Sequence, residues 1–173
     1  MAKNNNKPEV WLRGPLEGMP SLVQPVAHAL LQAREEVNEL MDGFPEILLW
    51  VTPVGLASPG FHLQHLAGVV DRLFTYARDE ALTEHQLQKL NHEGKEPQIA
   101  YGVLNLTEVF NRQVDDALKQ LTETDELSLT EKRLVGRARM PSTVLGLYTH
   151  AAEHVMRHVG QLLVTIKILR GNS

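Results

Sequence analysis

The chain's 173 residues suit one domain, which at this length buries roughly 70% of the surface its unfolded form exposes and needs no staple. It has no cysteine, so disulfides, thiolate metal ligands and thiol nucleophiles are excluded, any metal must be held by His, Asp, Glu, backbone or water, and a cytoplasmic location is the default expectation. A net charge of −4 with scattered lysines and arginines argues against a nucleic-acid partner, the opening "MAKNNNKPEVWLRG" lacks the apolar core of a signal peptide, and no apolar run approaches the ~20 residues that span a bilayer.

Residues 1–20 read as irregular, broken by Pro8, Pro15 and Pro20. Residues 21–171 read as the folded domain. Its first helix covers "SLVQPVAHALLQAREEVNELMDGF", where Leu22, Val26, Ala29, Leu30, Ala33, Val37 and Leu40 recur at threes and fours. Ser21 is a candidate N-cap, although Pro25 moves the start toward Val23 or Gln24; Gly43 stands where a helix ends. A loop with two prolines follows. Ser58-Pro59 then marks a helix start, a capping residue followed by proline in the first helical position.

The second helix is expected over "GFHLQHLAGVVDRLFTYARDEAL", with Leu63, Leu66, Val70, Leu73 and Ala77 as its apolar stripe. "TEHQLQKLNHEGKEPQ" reads as a polar loop. A third helix runs through "IAYGVLNLTEVFNRQVDDALKQLTET", with Val103, Leu106, Val109, Phe110, Val114, Leu118 and Leu121 on one side. "DELSLTEKRLVGRARMPST" reads as a long connection. A fourth helix spans about residues 142–170, with Lys167 and Arg170 in its last turn to suit the dipole. Four amphipathic helices without strand alternation predict an all-α four-helix bundle.

The fourth helix carries "YTHAAEHVMRHVGQLL". His150, His154 and His158 are spaced by four, so they stand one turn apart, about 5–6 Å between Cβ atoms. Relative to the apolar stripe, His158 lies roughly 40° away, His154 roughly 80° and His150 roughly 120°, while Glu153 falls roughly opposite. That predicts His158 inside, His154 at the edge of the core and His150 largely outside. Two imidazoles one turn apart can converge on an ion, and a third ligand must come from another helix. "FHLQHLAGVVD" offers His62 and His65, of which periodicity prefers His62. Spacing alone favours solvated or hydrogen-bonded histidines over a metal site.

The same stretch also reads H-x-x-E-H, the inverted zinc-protease pattern, with Glu153 as general base. Glu153 points away from the apolar face, and no Asp or Glu follows it to supply the further ligand of that fold. Asp71 is a candidate to orient a ligand histidine or, as a surface group, to pair with Arg72 or a neighbouring helix. Trp50 and Tyr148 are candidates for pocket lining or core, and Gln161 for a contact with His154.

"SPGFHLQHLAGVVDRLFTYARDEAL" together with "MPSTVLGLYTHAAEHVMRHVGQLL" resembles the DinB-like family, four-helix bundles that include the YfiT-like metalloenzymes. The resemblance runs from about Leu22 to Leu169. It implies metal ligands at His65, which precedes Leu66 and Ala67, and at His154 and His158, with Gly160 and Gln161 just after. It implies hydrolase or small-thiol S-transferase chemistry on a small-molecule substrate, and pairing into a homodimer. Zinc and nickel both suit three imidazoles. A metal-binding or dimerising protein without turnover is the alternative.

Overall fold

The computed structural model describes residues 7–97 and 101–171. The apolar recurrence at threes and fours produces helices where it is strongest. Helix α1 (Gln24–Met41) buries Val26, Ala27, Leu30, Ala33, Val37 and Met41 on one face. Ser21 lies in a 3-10 turn ahead of it, and Pro25 takes the first turn, where a missing N–H costs nothing. The preceding segment carries one 3-10 turn, Val10–Arg13, fastened to α1 by Arg13 on Glu35 (2.6 Å). Residues 1–6 lie outside the described part.

Helix α2 (Pro59–Ala77) begins as the sequence indicates: the Ser58 hydroxyl accepts from the Phe61 N–H at 3.1 Å, with Pro59 in the first position. It ends five residues before the expected Leu82. Asp79 takes a left-handed φ of 60°, and the Glu80 N–H turns back to the Thr75 carbonyl at 3.2 Å, which closes the last turn.

The stretch read as a polar loop contains a helix, α3 (Glu84–His92). Thr83 and Gln86 form a reciprocal capping box: each side chain binds the other's backbone N–H, at 3.2 and 2.8 Å. The apolar pattern misses α3 because its one buried residue is polar, Gln86. The Gln86 amide donates to Asp71 Oδ1 and Thr75 Oγ1, both at 2.8 Å, and so pins α3 to α2.

Helix α4 (Val103–Thr122) follows the expected apolar face. Ile99 and Ala100, the expected start of this helix, lie outside the described residues. The long connection after α4 holds an antiparallel hairpin, β1 (Lys132–Val135) with β2 (Met140–Thr143), in register Lys132 to Thr143 and Val135 to Met140. Gly136 and Arg139 turn it with φ of 65° and 49°. The chain is thus mostly helical, as expected, with one small sheet in this connection. The half-buried face of β1 pairs Arg133 with Val135 while Leu134 is exposed, so the sequence carries no polar–apolar alternation to read. Helix α5 (Val144–Leu169) starts where Thr143 Oγ1 accepts from the Gly146 N–H at 3.0 Å.

Helix α2 packs on α4 and α5, and α1 packs on the same two. Leu30, Leu63, Leu66, Phe74, Phe110, Leu121, Leu162 and Ile166 fill the shared core. Arg34 meets Asp115 while Asn38 meets Asn111, so α1 and α4 run antiparallel. Phe74 meets Tyr148 near one end of α2 and His62 meets His158 near the other, so α2 and α5 are antiparallel too. No described helix is long and apolar enough to cross a membrane.

Gln86→Ala should remove both amide anchors of α3 from a buried position. The expected loss is about 1–3 kcal/mol in chemical denaturation, with faster amide exchange across residues 84–92 in hydrogen-exchange mass spectrometry.

Candidate metal centre

The site lies where the first half of α2 crosses the middle of α5. His62 and His65 sit three apart on α2, and His154 and His158 four apart on α5, so each pair occupies one helix face. The antiparallel register sets His65 against His154, with their Nε2 atoms 2.9 Å apart, and His62 against His158, with their Nδ1 atoms 3.2 Å apart. The ring centroids of His65 and His158 are 4.4 Å apart and those of His154 and His158 4.7 Å. His65, His154 and His158 each offer one ligand nitrogen, and these three nitrogens lie within 4.8 Å of one another.

His65 is held from behind. Its Nδ1 stands 2.7 Å from Glu93 Oε2, and the other carboxylate oxygen accepts from Arg72 at 2.5 Å. A carboxylate at Nδ1 keeps the proton there and leaves Nε2 with a free lone pair, the tautomer a ligand needs. Burial pushes the Glu93 carboxyl up, but the hydrogen bonds from His65 and Arg72 outweigh it and hold the group below the usual carboxylate range. Glu93 therefore stays ionised as an acceptor. It reaches the site because α3 ends there. Gly94 follows with φ of 82°, and its N–H bonds Gln64 Oε1 of α2 at 2.8 Å. Gly68 leaves the space: a methyl group on it would strike both Glu93 Oε1 and the Arg72 guanidinium. Phe61 lies almost parallel to the His65 ring, at 10° and 5.3 Å, and covers one of its faces.

The remaining imidazoles are held neutral. His62 is 3% exposed. Burial, and then the neighbouring His65, lowers it to about 4. Burial followed by the surrounding histidines and Arg157 also lowers His158 to about 4. His154 is lowered too, first by burial and then by His65 and His150. Its buried Nδ1 has no hydrogen-bond partner among the described residues. Neutral imidazoles, one of them with an unsatisfied ring nitrogen, are the donor set a borderline divalent ion takes.

The structure brings His65, His154 and His158 together. His158 is half-buried and not fully interior; His154 is at the edge as expected, and His150 is exposed. His62, preferred by periodicity, is the most buried of the group and stands beside the three rather than among them. Glu153 faces solvent, paired with Arg157 through a short contact and with His150 at 3.6 Å, which is no place for a general base in the inverted zinc-protease sense. Asp71 does not orient a ligand; it pairs with a neighbouring helix, accepting from Gln86 of α3 rather than from Arg72. Tyr148 is core, with its hydroxyl 3.1 Å from Gln120 Nε2, and Trp50 lies over Gly60. Gln161 is exposed.

The sequence matches the DinB superfamily over residues 29–162. The chain belongs to that superfamily. None of the curated proteins matches it. The span shared with this metal-binding superfamily contains His65, His154 and His158 together with Arg72 and Glu93. Sequence reasoning missed Glu93 and Arg72. The signals were the Thr83-x-x-Gln86 box, which announces a helix start, Gly94, which marks its end beside Glu93, and Arg72 seven positions after His65, on the same face of α2.

Because the folded-state values of His62 and His158 lie near 4 against an ordinary 6.5, the unfolded chain takes up protons that the folded chain refuses. Stability is then complete above pH 6.5 and is lost as pH falls toward about 4. Denaturation midpoints of the metal-free protein should drop through that window, and a flat profile would contradict the burial of these rings.

Proposed function

We propose that the chain is a four-helix-bundle metalloenzyme in which His65, His154 and His158 hold one divalent ion, zinc or nickel. The observation that carries this reading is the convergence of three ligand nitrogens from α2 and α5 within 4.8 Å, one of them backed by the Glu93 carboxylate. Three imidazoles leave coordination places for water or a thiol, and such an ion supplies Lewis-acid activation of either.

The protein's own residues then have definite tasks. Glu93 orients His65 and keeps its proton on Nδ1. Arg72 keeps Glu93 ionised. Phe61 shields the His65 ring from water, and His62 supports His158 from the interior. Of the two chemistries, transfer of a small thiol asks less of these surroundings than hydrolysis. Glu93 uses one oxygen on His65 and the other on Arg72, and Glu153 is turned outward to Arg157. Neither of these carboxylates turns a free oxygen toward the triad to take a proton from water, whereas a thiol, being more acidic than water, would give its proton to solvent without such a base.

A second reading is a metal-binding protein that pairs with a copy of itself without turnover. The exposed Leu163, Val164 and Ile168 on the last turns of α5 favour it. Location in the cytoplasm fits either reading.

Elemental analysis of untagged protein is expected to find one divalent ion per chain, lost in His65→Ala and His158→Ala and retained in His150→Ala. Glu93→Gln should retain the ion with affinity lowered about 10–100-fold. Stoichiometric metal in either of the first two variants would overturn the ligand set. Thiol conjugates, esters and amides tested with and without chelator separate the enzyme from the binding protein; no chelator-sensitive turnover would leave only the latter.

A further inference from the structure

A second group of three potential ligands lies outside the first. His150, Glu153 and His154 occupy one turn of α5, and their ligand atoms also fall within 4.8 Å of one another. The two groups share His154. Its Nε2 faces His65, while its Nδ1 has no hydrogen-bond partner among the described residues. The side chains of His150 and Glu153 are 53% and 48% exposed. They also line an open groove of about 530 Å³ with Thr143, Leu145, Gly146 and Thr149. Arg157 engages only Oε1 of Glu153; Oε2 stands 3.6 Å from His150 Nδ1. The imidazoles thus form a continuous line from solvent inward. Ring centroids are separated by 5.3 Å from His150 to His154, 4.7 Å from His154 to His158, and 5.4 Å from His158 to His62.

We propose that His150, Glu153 and His154 form an entry station, which captures a hydrated divalent cation from solvent and passes it through the shared His154 to the inner triad. This rests on the triad being a metal site. The outer group is suited to capture and not to retention. Two of its three members are about half exposed, and its carboxylate is shared with an arginine, so a cation there stays hydrated and leaves readily. The inner group has lost most of its water, and Glu93 already fixes one of its ligands. Rotation of the His154 ring about its Cβ–Cγ bond would carry an ion held by His154 from the outer partners toward His65 and His158, so it keeps one protein ligand on the way. Glu153 adds the negative charge that attracts a cation to the groove.

The test is the rate of Co²⁺ uptake by chelator-stripped full-length protein, followed by the visible absorption of the bound ion, with final stoichiometry measured on the same samples. His150→Ala and Glu153→Gln should each slow uptake by about tenfold and leave one ion per chain at equilibrium. Arg157→Gln, which frees the second oxygen of Glu153, should accelerate it. Uptake at the wild-type rate in both of the first two variants would overturn the entry station. So would a second equivalent in the wild type that His150→Ala removes, since the outer group would then be a resident site. Failure of the wild type to take up any ion is a separate result, which removes the metalloenzyme reading itself.

Discussion

The antiparallel register of α2 on α5 is the constraint on which the site depends. It is set by apolar side chains: Leu63, Leu66 and Val70 on one helix, Val155, Val159 and Leu162 on the other, all fully buried or nearly so. The histidines do not create this register; they ride on it. His62 and His65 flank Leu63, and His154 and His158 flank Val155, so packing that aligns the apolar residues also aligns the imidazoles. A slip of one turn along either helix, about 5.4 Å, would separate the rings while leaving much of the core intact. The ligand geometry is therefore bought with core packing, which is dense and resists small shifts.

Electrostatics supplies the second layer. Burying several imidazoles together makes protonating His62, His154 or His158 unfavourable, since each charge would lose water and face its neighbours. The same crowding presents free lone pairs at neutral pH, which is what a cation requires. Among the described residues only His65 of these rings has an anionic partner within hydrogen-bond distance, and that partner is itself balanced by Arg72. The Arg72–Glu93–His65 chain is thus a partly buried polar network with each carboxylate oxygen accounted for. A network in that condition holds its members rigidly, whereas one with a vacancy would cost stability.

Much of this was readable in the residues. The four long helices follow from apolar recurrence, and the start of α2 from Ser58-Pro59. His154 and His158 were legible as a pair because a helix fixes what lies one turn away. The angular argument correctly found His62 to be the most buried histidine of α2, yet His65 joins the triad. The stripe calculation treats one helix facing one core, while His65 is covered from the side by the end of α3. Glu93 is 28 positions from His65, in a stretch whose polarity resembles a loop, so no local pattern connects them. The hairpin was hidden for a related reason: the half-buried face of β1 holds Arg133 beside Val135 while Leu134 is exposed, so polarity does not alternate along the strand.

Gly68 shows how closely the support is fitted. Glycine inside a helix costs about 1 kcal/mol relative to alanine, and here it sits mid-helix, one turn beyond His65. The routine stabilising replacement would strengthen α2 as an isolated helix and, by its single methyl, evict the carboxylate that steadies His65. At this one position heat resistance and grip on the ion pull against each other, so the helix is kept intrinsically weaker than it could be by the width of an oxygen atom.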